Sequence, residues 1–531
     1  MSSLPLSLRA FALAAGLSFA SLVMAGPPSD LDARIESVIR DHGVPGMAVA
    51  IVENGKVVHA KGYGVRKLGS PEPVDADTIF QTGSTGKAVT TAALAVLVDQ
   101  KKIKWDDKVT DHLPDFQMYD PWVTREMTIR DLLVHRSGLG LGAGDLLFVP
   151  RSSLSRAESV KRLRYIKPAT SFRSGYAYDN ILYMVAGQLI EEVTGQTWEV
   201  FVRDHVFKPA GMSVSTSDEK AHWATANRAY PHARMDGGFR GIGKQEVLDE
   251  KASLLGRNAA PAGGLSSSAN DMGRWLAIQL AHGALPGSDG KRLFSEESSR
   301  EMWTPQVLIP IHQYPKPIAE ATPQFSAYAL GWDVTDYRGV KIIQHGGAVF
   351  GVQTIVVLIP DRQVGFSLQI NSEDGVVLKG MAYELLDHYL DAPKRDWVAD
   401  FASFNKSRVE GAQAALAGIK QERKPSKPSL PAAGYAGNFA DAWYGPIDIT
   451  QKDGKLRINF KQTPNMAGDL EHFQYDTFIA RWDDRTAEPA YVSFALDATG
   501  AVSTIRMKPV SPLADFSWNF QDLVITPVKA D

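Results

Sequence analysis

Ser84-Thr85-Gly86-Lys87 sets a hydroxyl and an amine three residues apart, just ahead of the apolar run 88–97. Residues at that spacing share one face of a helix, so the lysine amine can hydrogen-bond the serine hydroxyl. A serine at a helix start also turns its own N–H toward charge developing on a bound carbonyl oxygen. Those are the requirements of an activated nucleophile. The apolar run tilts the reading that way, because a lysine beside a dry helix is hard to explain as solvated surface. Taken alone the spacing is common, and a capping serine followed by an exposed lysine fits it as well.

Two further groups carry chemistry. Tyr178-Asp179-Asn180 precedes the helix-period segment 181–193. A phenol whose pKa fell from about 10 beside an ammonium could take a proton, and the Asn180 amide could donate to a substrate carbonyl. A packed tyrosine and a capping asparagine are the plainer alternative. His345-Gly346-Gly347-Ala348 ends the β-rich run 341–344, and paired glycines in a strand pattern mark the close approach of a ligand or another backbone. Gly138, Gly140, Gly142 and Gly144 miss the G-x-G-x-x-G frame of a phosphate cradle and read as a flexible loop. The 12 histidines are scattered without H-E-x-x-H, so neither a metal site nor a cofactor is expected. His135 reads as structural.

Positioning these groups calls for a mixed α+β frame. Residues 31–42 read as a helix and 46–52 as a strand; Gly55-Lys56 turns the chain, and Val57, Val58 and Ala60 return antiparallel. Far along the chain, 340–344, 354–360 and 365–371 are three β-rich runs, followed by a helix at 377–389, so one sheet could collect both ends. Residues 398–431 read as a solvated linker, with Lys420, Arg423, Lys424 and Lys427 among Pro425, Pro428 and Pro431. It separates a body at 26–397 from residues 432–531, and the two are expected to fold independently, with every candidate catalytic residue ahead of the linker. The last hundred residues alternate as strands, with Asp453-Gly454 and Thr499-Gly500 as turns, and predict a small barrel or sandwich.

Composition narrows the partners. With 57 Lys+Arg against 60 Asp+Glu in 531 residues, no global field attracts nucleic acid, and a small-molecule or short peptide substrate is favoured. Zero cysteines exclude thiolate nucleophiles, disulfides and Cys-ligated metals. Arg9 precedes the apolar run 10–25, which reads as a signal peptide at 1–25: it is shorter than the roughly 20 residues of a spanning helix and Gly26-Pro27-Pro28 follows. The mature chain is therefore expected to be periplasmic or secreted, without a stable transmembrane anchor.

In order and spacing, Ser84/Lys87, Tyr178/Asn180 and His345/Gly347 together resemble the serine β-lactamase and D,D-peptidase superfamily, specifically its class C β-lactamase-like branch. Segments 80–87 (Phe-Gln-Thr-Gly-Ser-Thr-Gly-Lys), 128–139, 187–195, 209–212 and 261–276 are similar to family segments. The resemblance spans roughly residues 30–395, and the tail resembles a small β domain often appended to this branch. It implies a β-lactamase/D,D-peptidase-like antiparallel sheet flanked by helices, with an all-helical part. It also implies acyl transfer, with Ser84 as nucleophile, Lys87 as its partner and Tyr178 as general base and later acid. Asn180 would hold the substrate amide, and the backbone N–H groups of Ser84 and Ala348 would form the oxyanion hole, Gly347 allowing close approach. The pattern departs where β-lactamases carry Lys-Thr-Gly and His345-Gly346-Gly347 stands instead, as in related esterases, D-peptidases and D-aminopeptidases. An unperturbed histidine titrates near about 6.5, so His345 is expected to face the acyl pocket and read substrate charge. The resulting expectation is an exported serine hydrolase of esterase, D-peptidase or D-aminopeptidase type. The alternatives are a true β-lactamase and a penicillin-binding sensor that acylates without turning over.

Overall fold

The computed structural model describes residues 26–235, 239–249 and 255–528, so the expected signal peptide lies outside the described residues. Helix α1 (Leu31–His42) buries Leu31, Ile35 and Val38 on one stripe and ends at Gly43 in the left-handed conformation. Strands β1 (Gly46–Glu53) and β2 (Lys56–Gly64) form an antiparallel hairpin. Its turn is Asn54-Gly55, one residue earlier than the sequence suggested, because both positions take positive φ, 50° and 74°, as a two-residue hairpin turn demands.

An all-helical part follows, containing α2 (Lys87–Asp99), α3 (Ile181–Thr194) and α4 (Ala269–Leu280). Every residue of α2 from Lys87 to Leu97 is buried, so it is a core helix without a solvent face. The chain then returns to the sheet through β3 (Val307–Leu308), β4 (Ser326–Tyr328), β5 (Asp333–Tyr337), β6 (Val340–Val349), β7 (Val352–Ile359) and β8 (Val364–Ile370). The order is β2-β1-β8-β7-β6-β5-β4-β3, and β1 pairs antiparallel with β8, so one sheet does collect both ends. Along β1, Met47, Val49 and Ile51 pack with α1, with α5 (Gly375–Tyr389) and with the first turns of α6 (Trp397–Glu422). Ala48, Ala50 and Val52 point the other way, to the side holding α4, as strand alternation requires.

Most of the stretch expected as a linker is helix. α6 runs 26 residues to Glu422, and only 423–431 lacks regular structure. Its composition is that of a solvated helix, rich in Ala, Gln, Glu and Lys, and the prolines that break it begin at Pro425. Beyond it β9 (Gly437–Asp441), β10 (Gly445–Lys452), β11 (Lys455–Phe460), β12 (Ala467–Gln474), β13 (Thr477–Trp482), β14 (Ala490–Leu496), β15 (Val502–Pro509) and β16 (Thr526–Pro527) form a second antiparallel sheet. Its order is β15-β14-β13-β12-β11-β10-β9-β16, and Ile525 bridges back to Ile505, which nearly closes it into a barrel.

The two parts, expected to fold independently, pack against each other. The barrel's apolar interior is continuous with the core of the helical part. Arg162 Nη1 donates to the carbonyls of Trp443 and Tyr444 at 2.8 and 2.6 Å, and the Gln462 carbonyl accepts from Ser153 N at 2.8 Å. The Trp518 ring stacks on Phe350 of the body with centroids 5.8 Å apart. Among the described residues no helix is long and apolar enough to cross a membrane.

Candidate active site

Ser84 sits in the 3₁₀ turn Gly83–Gly86 that runs directly into α2, and it keeps part of its surface open while Gly83, Thr85, Gly86 and Lys87 are buried. That junction puts Lys87 Nζ 3.0 Å from Ser84 Oγ. The amine also donates to Asn180 Oδ1 at 2.7 Å and to the Ala262 carbonyl at 2.9 Å. Burial pushes the Lys87 amine down to about 7, opposed by the carboxyls of Asp145 and Asp179. Its ammonium form is further flanked by the rings of Tyr178 and Tyr183, 4.7 and 5.1 Å away.

Tyr178 lies where the expectation put it, beside Ser84 and Lys87, but its titration runs the other way. Burial raises the phenol well above its ordinary range, and the neighbouring Ser84 hydroxyl is the group that opposes this. The phenol oxygen makes no hydrogen bond of normal geometry. The ring is clamped by His135, 4.1 Å between centroids, and touches Phe516 edge-on at 5.8 Å. His135 is buried, and its Nδ1 accepts from Asp179 N at 3.1 Å in the loop that carries Tyr178.

Asn180, expected to hold the substrate amide, is engaged within the chain at both ends. Its Oδ1 faces Lys87, and its Nδ2 donates to Asp145 Oδ2 at 2.9 Å, so both ends of the amide are committed. Asp145 comes from the glycine loop that was expected to be flexible. That loop is packed: Gly138, Leu139 and the stretch 142–145 are buried, and a Cβ at Gly142, φ +70°, would meet the Phe516 carbonyl at 2.7 Å. Asp145 is fully buried, which raises its carboxyl to about 8 against the hydrogen bonds from Ser517 and Asn180. Oδ2 accepts from Ser517 Oγ at 2.7 Å, and Oδ1 has no partner.

His345 is placed near Tyr178, 6.3 Å between rings, yet it is closed off from solvent. Its Nδ1 donates to the Gly346 carbonyl at 2.6 Å, leaving Nε2 to accept from the Tyr328 hydroxyl at 2.8 Å. Burial, followed by the nearby Lys87 charge, pushes the imidazole down to about 3. It is therefore neutral across ordinary pH and cannot read substrate charge by protonation. The glycines do what their types suggest. A Cβ on Gly347 would lie 2.1 Å from the Thr82 carbonyl, and one on Gly83 would lie 2.5 Å from Ala348 N, so β6 and the serine turn touch backbone to backbone. This contact brings Ala348, which is exposed, beside Ser84.

The sequence reading missed Asp145, Tyr328, Phe516 and Ser517. Asp145 was hidden among glycines, and Ser517 lies 372 positions from the carboxyl it meets. One signal was available: Phe516-Ser-Trp518-Asn-Phe520 puts three aromatics within five residues. Asp333, half-buried and raised by desolvation to about 7, adds a third acid near the tyrosines.

A beta-lactamase family model matches residues 31–390, and a domain of unknown function, DUF3471, matches 421–527. The unguisins hydrolase ungD' of Aspergillus campestris is 30% identical over 80% of this chain and 78% of its own length. Penicillin-binding protein 4 of Amycolatopsis lactamdurans is 29% identical over 64% of this chain and 84% of its own. Among solved structures, the octameric penicillin-binding protein homologue from Pyrococcus abyssi matches with a TM-score of 0.55 at 18% identity, covering 90% of this chain and 97% of that one. SurE matches with a TM-score of 0.53 at 20% identity, covering 93% and 98%. The chain belongs to the beta-lactamase family of serine hydrolases.

Proposed function

We propose that the chain is an exported hydrolase of the class C β-lactamase-like branch. It cleaves an ester or amide through an acyl-enzyme on Ser84, with Lys87 as the base in acylation. One observation carries the assignment of the base. The Lys87 amine faces two groups that only accept, Asn180 Oδ1 and the Ala262 carbonyl, and one that can do either, Ser84 Oγ. In the free-base form its two hydrogens go to the acceptors, and the lone pair is left for the serine proton. An amine held near about 7 populates that form at working pH.

Attack of Ser84 Oγ on the carbonyl carbon moves the serine proton to Lys87 Nζ. The carbonyl π pair goes onto oxygen, where the N–H groups of Ser84 and Ala348 meet the charge. Tyr178, raised above its ordinary range, stays a neutral phenol. It hands its proton to the leaving group and recovers one from Lys87. Water then attacks the acyl carbon by the reverse relay and frees Ser84.

The acyl group taken is one without a carboxylate to anchor. His345 is neutral where β-lactamases keep a lysine, and the carboxyls that act on the amine are those of Asp145 and Asp179. This favours esterase, D-peptidase or D-aminopeptidase substrates over β-lactams. The relatives' printed names, a hydrolase and a penicillin-binding protein, fit acylation on the same serine.

The test is fluorophosphonate labelling with peptide mass mapping, beside a panel of nitrocefin, p-nitrophenyl esters and D-amino-acid anilides. The label maps to Ser84 and disappears in Ser84→Ala. Lys87→Ala slows acylation about 10²–10⁴-fold, and kcat/KM rises with pH through about 7 as Lys87 loses its proton. Label on another serine overturns the mechanism, rapid nitrocefin turnover reassigns the chain to the β-lactamases, and a stable adduct makes it a sensor. Recovery of a periplasmic form beginning at Gly26 checks export.

A further inference from the structure

We propose that the barrel domain positions the catalytic lysine: Ser517 fixes the Asp145 carboxyl, and Asp145 turns the Asn180 amide so that its oxygen faces Lys87. The inference rests on Lys87 as the base. An asparagine amide is nearly symmetric in shape, so its orientation is set by its hydrogen-bond partners. Lys87 needs an acceptor from Asn180, which obliges Nδ2 to point away from it, toward Asp145. An ionised Asp145 can only accept, and it enforces that orientation. A protonated Asp145 could instead donate to Asn180 Oδ1, flip the amide and set Nδ2 against the amine, donor against donor.

Ser517 decides between these states. Its hydroxyl donates to the same Oδ2 that receives Asn180 Nδ2, and both donors favour the carboxylate against the burial that raises Asp145 to about 8. The loop that carries it is held in place. Asn519 Oδ1 accepts from Leu146 N at 3.3 Å, Phe516 lies on Gly142, and Trp518 stacks on Phe350. Ser517 and Asn519 are both buried. Asp145 feels Asp515 from that loop and Lys87 across Asn180. Around the amine stand Asp179, Tyr178, Tyr183, His135 and His345, all contributed by the body. Ser517 is therefore the barrel's own contact with the chain of groups ending at the nucleophile.

The experiment uses the full chain as wild type, Ser517→Ala and Ser517→Thr. For each, kcat and KM for a p-nitrophenyl ester are measured from pH 5.5 to 9.5, together with the rate of fluorophosphonate labelling. Losing a hydrogen bond to a charged group predicts a fall in kcat of about 10-fold with KM held within about 2-fold. A more readily protonated Asp145 no longer supports the Lys87 ammonium, so the acidic limb of kcat/KM moves to lower pH. Ser517→Thr restores both. A limb that stays fixed in Ser517→Ala overturns the proposal, whether kcat falls or not, and a change confined to KM makes the loop a wall only. If Ser517→Ala fails to fold, Asp145→Asn, equal in volume and permanently neutral, must move the limb the same way. Wild type without label on Ser84 would sink the lysine-base reading instead, so the two failures are told apart.

Discussion

Two of the barrel's ties to the body, α6 and the loop 511–519, differ in every physical respect. α6 is the covalent one: past Phe401 it fully buries only Ala412, with Phe404 half-buried against the body. The loop 511–519 is the non-covalent one, with Ser511, Ser517, Trp518 and Asn519 buried and Phe516 against the Tyr178 ring. The tie that composition advertises carries no chemistry, while the tie that reaches the nucleophile's neighbours is marked only by three closely spaced aromatics. Lysines and prolines gather where a chain must stay soluble; a buried loop is defined by partners far away in sequence.

The strongest way to break this contrast is to remove the loop and keep the helix. A chain ending at Lys424 is expected to lose at least about 10²-fold in kcat/KM for an ester, since displacing catalytic groups by about an ångström costs that much. Full activity in that truncation would return the barrel to the role of an appendage. Phe516→Ala sharpens the contrast on a smaller scale. An aromatic edge contact is worth about 0.5–1.5 kcal/mol, so kcat/KM should fall about 5-fold, read from the same ester assay. On the other tie, Ala415→Gly in the exposed part of α6 should weaken that helix by about 1 kcal/mol. Hydrogen exchange along 397–422 would quicken while kcat/KM stays within about 2-fold; a larger loss would show that α6 also transmits to the site.

The smallest effect expected is none. The ratio of kcat/KM for a carboxylate-bearing substrate to that for its neutral ester should be flat between pH 6 and pH 8. His345 stays neutral throughout, being protonated only on approach to about 3. A ratio that rises on acidification would restore the charge-reading role.

What was legible in the sequence is what is settled locally. Ser84 and Lys87 share one turn of chain, so their hydrogen bond follows from spacing. The barrel hairpin around Asp453-Gly454 was legible because both residues take positive φ, 51° and 75°, which their types permit. Gly347 announced a close backbone approach and makes one. The titration of Tyr178 and His345 was not legible, because both shifts come first from burial by elements scattered from residue 84 to residue 516. Asn180 lies beside Lys87, but the direction of its amide was not legible, since it depends on Asp145. The helical stretch of α6 was obscured by prolines that begin after it ends.

The junction of Ser517 with Asp145 also has a meaning in time. The last strand of the body's sheet ends at Ile370, and the loop that meets Asp145 follows roughly 150 residues later. At about 5–20 residues per second, a ribosome needs about 8–30 s to cover that distance. Throughout that interval the nascent chain carries its serine and lysine with the carboxyl behind them unclaimed. Completion of the reactive centre is thus deferred to one of the last events of synthesis, a delay written into the order of the sequence.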